Sequence, residues 1–178
     1  MRLFLIALAL VAGCMPYAIP PASVDLGATR STEDGSRTGL HVDVGLSPMQ
    51  VMPTQVDRRW DAVLLGSFDR MGTRDSWGGA LAVGPTFFPM PVTDPDSRLR
   101  LLPQVIGRLT TEASSVGARV VLEYATFTNG TGKDGYAYGE AAIGGYLEGS
   151  YRSDDELVMT IGLTVRVPIL AGVACCFK

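Results

Sequence analysis

From residue 38 onward, apolar and polar positions alternate with period two in run after run, the signature of strands with one apolar face. In 38–47, Leu40, Val42, Val44 and Leu46 share a face, and Gly39, His41, Asp43, Gly45 and Ser47 share the other. In 157–167, Leu157, Met159, Ile161, Leu163, Val165 and Val167 oppose Val158, Thr160, Gly162, Thr164 and Arg166. The same alternation occurs in 59–69, 77–88, 98–110, 116–126 and 137–151. Turn-rich stretches such as Asn129-Gly130-Thr131-Gly132-Lys133-Asp134-Gly135 separate the runs. The pattern predicts seven strands and an eighth at 169–177. No long segment of the body carries helical periodicity. The expected fold is all-β, an antiparallel up-and-down β-barrel of about eight strands.

The two faces differ in chemistry. One carries no charge in any of the seven runs. The other is largely Gly, Ala, Ser and Thr, with isolated ionic groups. Small residues suit the crowded interior of a narrow closed barrel. This assigns His41, Asp43, Asp61, Arg100, Arg108, Arg119, Glu123, Glu140, Glu148 and Arg166 to the interior. They are expected to pair there, because an unpaired buried charge is costly. Arg59, Asp69 and Arg98 fall at strand ends, where water solvates them. The apolar face then turns outward to lipid, as in a transmembrane β-barrel. Trp60, Phe68, Trp77, Phe87, Tyr124 and Tyr151 lie near strand ends, where interfacial girdles would sit. Connections 48–58, 89–97 and 127–136 are longer than 70–76, 111–115 and 152–156. With a periplasmic start and 38–47 as first strand, the longer connections come out on the outside.

Composition narrows the class. The chain has 178 residues, 47 % apolar and 19 % charged, with a mean hydropathy of +0.21. Such a chain is not a disordered polymer. A net charge of −3 and a pI near 5.1 argue against a nucleic-acid partner. The 21 glycines follow no Gly-X-Y period, which excludes collagen. A single histidine removes most His-based metal sites.

The N-terminus adds an address. Arg2 precedes an apolar run, Leu3 to Val11, followed by Ala12, Gly13 and Cys14. The run is too short for a transmembrane helix and has the layout of a secretory signal. Val11-Ala12-Gly13-Cys14 resembles the lipobox of bacterial lipoproteins. The resemblance implies that 1–13 is a signal peptide cut before Cys14. The Cys14 thiol would then take a diacylglycerol and its new amine an acyl chain. Met15, in place of the inner-membrane retention Asp, implies an outer-membrane address in a Gram-negative cell. Residues 14–37, with Pro16, Pro20 and Pro21 and a Ser/Thr/acid cluster, read as a linker. A weak alternation over Ala22, Val24, Leu26 and Ala28 leaves room for a short strand within it. Residues 38–178 form the barrel domain. This body resembles the small eight-stranded outer-membrane barrels in size and pattern.

Candidate chemistry is sparse. His41 and Asp43 are two apart on one face, which fits a structural hydrogen bond better than a general base. Glu140 and Glu148 stand roughly 26 Å apart along a strand, too far for a glycosidase pair. Gly78-Gly79, Gly84 and Gly144-Gly145 precede no helix, so no phosphate loop is implied. Asp94-Pro95-Asp96 and Ser153-Asp154-Asp155-Glu156 read as solvated loops rather than calcium sites. Cys175 and Cys176 are either a strained disulfide or two small apolar residues at a strand end. The expectation is a lipid-anchored outer-membrane lipoprotein with a structural or envelope-associated role and no enzymatic activity, metal or cofactor. Its partner is membrane lipid, through acylated Cys14 and the barrel exterior. The alternative is a periplasm-facing lipoprotein with a lipocalin-like barrel, its apolar face turned inward on an apolar ligand.

Overall fold

Period-two alternation becomes ten strands in the computed structural model, which describes residues 14–32, 38–51, 59–90, 97–132 and 135–175. They are β1 (Cys14–Ile19), β2 (Ala22–Ser31), β3 (Thr38–Leu46), β4 (Trp60–Met71), β5 (Arg74–Pro85), β6 (Ser97–Thr110), β7 (Ser114–Gly132), β8 (Gly135–Arg152), β9 (Leu157–Val167) and β10 (Ile169–Cys175). Strands β2 to β9 pair each with the next, and β9 closes on β2, so these eight form an antiparallel up-and-down barrel. The closing seam runs from Ala22 opposite Val167 to Ser31 opposite Val158. Closure removes the free edges that an open sheet would expose.

The strand that closes the ring is β2, which corrects the assignment of 14–37 as linker. Ser23, Asp25, Thr29 and Ser31 are buried, while Val24 and Leu26 are exposed. The period is therefore that of a barrel strand, although three prolines and a polar composition surround it. The strand expected at 169–177 is real but lies outside the ring. There β10 pairs with the start of β8 and with β1, a flap beyond the barrel rim. Residues 1–13, on which the signal-peptide reading falls, lie outside the described residues, as does Cys176. Cys14 opens β1 and stands opposite Cys175 in register.

Counting β2 as the first barrel strand reverses the expected direction. The connections 47–59 and 86–96, the flap and the entry of the chain are all at one end, the flap end. The opposite end carries short turns. There β4 and β5 are joined through Gly72 and Thr73, with Gly72 at φ 62°. The 127–136 connection is a strand pair rather than a loop: β7 and β8 stay in register from Phe127 opposite Glu140 to Gly132 opposite Gly135.

Which way the alternating faces point decides what the barrel can be. Ile161 is 64 % exposed and its neighbour Thr160 is 5 % exposed. Leu122 and Leu163 point outward as well. Among the described residues, exposed large apolar side chains outnumber buried ones. The apolar face that a lipocalin-like barrel would turn toward a ligand is on the outside here. The interior holds an apolar patch of Val63, Leu65, Ala80, Ala82 and Ile106, with ionic groups toward each end.

Candidate functional site

The candidate site is the filled interior. All ten residues assigned to it from sequence are buried, and the structure sorts them into three groups.

Nearest the flap end, Arg100 and Arg166 face Asp61, Glu123 and Glu140. Arg100 donates from Nη1 to Glu140 Oε2 at 2.9 Å, and from Nη2 to Glu140 Oε1 at 2.7 Å and Glu123 Oε1 at 2.5 Å. Arg166 reaches across the lumen from β9 to β4, donating to Asp61 at 2.5 and 3.1 Å, and to Glu123 Oε2 at 3.2 Å. Gln104 Nε2 donates to Asp61 Oδ2 at 3.1 Å. Two guanidiniums thus hold three carboxylates, with one neutral amide in support.

Nearest the short-turn end, Arg108 is the hub. It donates to both oxygens of Asp43, at 2.9 Å each. It also donates to both oxygens of Glu148, at 3.0 and 2.8 Å. Ser67 Oγ takes a further bond at 2.7 Å. Bidentate guanidinium pairs of this kind combine energy with fixed geometry. His41 Nε2 lies 2.9 Å from Asp43 Oδ2, an ion-pair distance without hydrogen-bond alignment. His41 Nδ1 lies 2.5 Å from Asp69 Oδ1, its register partner on β4. The imidazole is therefore clamped between two carboxylates. Asp69 is a correction: it joins this cluster rather than being left to water. A small cavity lined by His41, Asp69, Arg108, Glu148, Arg152 and Thr160 opens beside it.

Between these groups, Arg119 pairs with Asp25 at 2.7 Å and lies 4.2 Å from the centroid of the Tyr146 ring. Asp25 and Tyr146 were not among the assigned residues. Asp25 escaped because its strand was read as linker. Tyr146 shares a sequence face with Glu148, but nothing in the sequence shows that glycines make room for it. A Cβ at Gly27 would sit 2.5 Å from Tyr146 Oη; one at Gly162 would sit 2.3 Å from Leu26 O and 2.7 Å from the Tyr146 ring. Gly162→Ala is therefore expected to destabilise the fold by about 1–3 kcal/mol. Tyr146 Oη has no hydrogen-bond partner among the described residues, so Tyr146→Phe should stay within about 0.5 kcal/mol of the parent. Urea unfolding of the two variants side by side measures both.

The described charged positions that the sequence leaves to solvent sit at the rims. Arg59 is exposed. The Arg98 guanidinium carbon lies 5.4 Å from the Phe88 ring centroid. Arg152 donates to Asp154 at 3.1 and 3.0 Å and thereby holds that carboxyl below its ordinary range. Tyr151 donates to Asp155 at 2.9 Å. Asp94 and Asp96 lie outside the described residues.

No protein-family model matches the chain, and no curated protein matches it. Among solved structures, an S-type phycobiliprotein lyase from Guillardia theta is similar over 83 % of this chain and 86 % of that one, at 8 % identity and a TM-score of 0.29. The expectation of a chain without enzymatic activity is corrected here, because that structure is titled a lyase. Lack of activity is no longer part of the reading, and a likeness of TM-score 0.29 carries no argument for any particular activity.

Proposed function

We propose that the chain is a lipid-anchored outer-membrane protein whose barrel itself crosses the bilayer and serves a structural or envelope-associated role. The observation that supports this best is the outer wall. Between the aromatic residues at its two ends it is built from Leu26, Val44, Leu64, Leu81, Val105, Leu122, Ile143, Leu147, Ile161 and Leu163, all exposed. A soluble monomer rarely shows an apolar patch beyond a few hundred Å². Strand β9 has 11 residues, which at about 3.3 Å per residue and a tilt of about 40° spans roughly 28 Å, close to the height of a lipid-facing band. Phe68, Trp77 and Tyr151 stand toward the short-turn end, with Trp60, Phe87 and Tyr124 toward the other. No helix among the described residues is long and apolar enough to cross a membrane, so the strands carry the crossing.

Acylation of Cys14 would tie the flap end to its leaflet, because β1 belongs to that end. An anchor in the periplasmic leaflet then turns the short-turn end, with the His41 cluster, to the outside. The ionic interior suits this setting, since water-free surroundings require every polar group to be met from within. The test separates anchor from barrel. Cys14→Ser should abolish acyl labelling, yet the protein should stay in the membrane fraction through alkaline carbonate. Release of that variant into the supernatant would sink the membrane-spanning reading and leave only an anchored one.

A further inference from the structure

We infer that the flap lies along the surface of the leaflet that holds the Cys14 anchor, its outward face in the headgroup region, a reading that rests on acylation of Cys14 and on the barrel crossing the bilayer. The flap is a small sheet in its own right. Strand β1 pairs with β10, β10 pairs through Ile169–Gly172 with Gly135–Tyr138 of β8, and β8 continues onto 128–132 of β7. None of these residues is Asp, Glu, Lys or Arg, on either face. The other end of the barrel differs: Arg70, Asp75, Glu112, Arg152, Asp154 and Glu156 crowd its short turns. Sheets that stand in water guard their edges with charge, lysine above all. The edge strand β1 carries none.

The position of the anchor decides what the uncharged sheet meets. Cys14 is the first residue of β1, at the far tip of the flap, and Ile19 is at its base. Six residues at about 3.3 Å each make roughly 20 Å. A flap standing straight out from the rim would hold the acylated residue that far from the barrel, beyond a headgroup layer of about 5–8 Å. Laid over outward, it brings Cys14 to the leaflet and turns the outward face to the lipid. The base is built to bend. Pro20 and Pro21 join β1 to β2, Pro168 joins β9 to β10, and Gly139 of β8 has φ 110°. Proline withholds the N–H that a continuous ladder needs, and only glycine takes such a φ readily. The outward face suits the headgroup boundary. Ile19 stands opposite Leu170. Tyr17 reaches across Gly172, so that a Cβ at Gly135 would sit 2.9 Å from its Oη. A ring with an apolar body and a polar tip settles at headgroup level. From the flap this face runs through Ala137, Gly139 and Ala141 of β8 to Ile143 on the barrel wall, with no charge between.

Single-tryptophan variants of the acylated mature protein test this in phosphatidylcholine vesicles. The chain has two tryptophans, so Trp60→Phe with Trp77→Phe clears the background. Ile19→Trp reports the outward face of the flap, Ala18→Trp its other face, and Ile161→Trp the barrel wall. Leu170→Trp repeats the outward reading from β10 should the change in β1 disturb the flap. The vesicles carry phosphatidylcholine brominated either near the glycerol or near the chain end, and acrylamide probes from water. Ile19→Trp and Leu170→Trp should lose fluorescence to the lipid brominated near the glycerol, more than to the other. Ala18→Trp should lose it to acrylamide. Ile161→Trp should lose most to the lipid brominated near the chain end. Outward variants quenched by acrylamide and by neither lipid, with Ile161→Trp still quenched by lipid, overturn the inference and put the flap in water. Outward variants shielded from every quencher overturn it too, with protein such as a second copy covering the face. If Ile161→Trp itself escapes both lipids, the membrane-spanning reading has failed and this inference with it.

Discussion

Arg166→Met should cost about 3–5 kcal/mol of stability, because removing one partner of a buried ion pair strands the other. Arg166 is the main charge partner of Asp61 and a second partner of Glu123. Without it, Asp61 loses the guanidinium that holds both its oxygens and retains the neutral donors Gln104 and Ser47, while Glu123 and Glu140 keep Arg100. Counting the described residues, the cluster would pass from two cations against three carboxylates to one against three. The double variant Arg166→Met with Asp61→Asn restores the original imbalance of one, and it should recover most of the loss. Equilibrium urea unfolding in a folding-competent detergent gives both numbers. Should the single variant fail to fold, recovery in the double variant still decides the matter. If the single variant unfolds with the parent and the double is no better, the cross-lumen pairs do not hold the barrel closed.

These pairs also show where the sequence stops being informative. Alternation in 38–47 or 157–167 tells which side chains share a face, because side-chain direction in a strand has period two. It therefore identifies His41, Asp43 and Arg166 as interior. It does not tell that Asp43 on β3 meets Arg108 on β6, or that Arg166 on β9 meets Asp61 on β4. Those partners are not on neighbouring strands; ring closure and stagger bring them together across the lumen. Arg119 lies on the same face of β7 as Glu123, yet its carboxylate partner is Asp25 on β2. Strand β2 reads from sequence only as room for a short strand inside a linker, for a related reason. Its alternation of Ser23, Asp25 and Thr29 against Val24 and Leu26 is regular, yet the outward set is short and prolines precede it. Its place in the ring changes more than a count. It reversed the end at which the chain enters the barrel, and with it the side on which an acylated Cys14 would sit.

Arginine on the outer wall should destabilise the barrel in proportion to its depth. Ile161→Arg and Leu163→Arg fall near the middle of β9, while Leu157→Arg falls at its first residue by the short turns. In a bilayer the central pair should cost about 2–4 kcal/mol each, and the rim position about 0–1 kcal/mol. The gradient arises because a central guanidinium must leave water, whereas one at the rim snorkels to the interface. All three parent side chains are exposed, so none of the substitutions removes a core contact or creates a cavity. On a soluble barrel each should fall within about 0.5 kcal/mol of the parent, as surface changes away from special features do. Urea unfolding from lipid vesicles measures the series, and the same series in detergent micelles should flatten. Three equal, near-zero costs in vesicles would show that water, not lipid, meets this face. A rise toward the middle would give the uncharged wall its solvent, because only a hydrocarbon slab sorts identical substitutions by height along one strand.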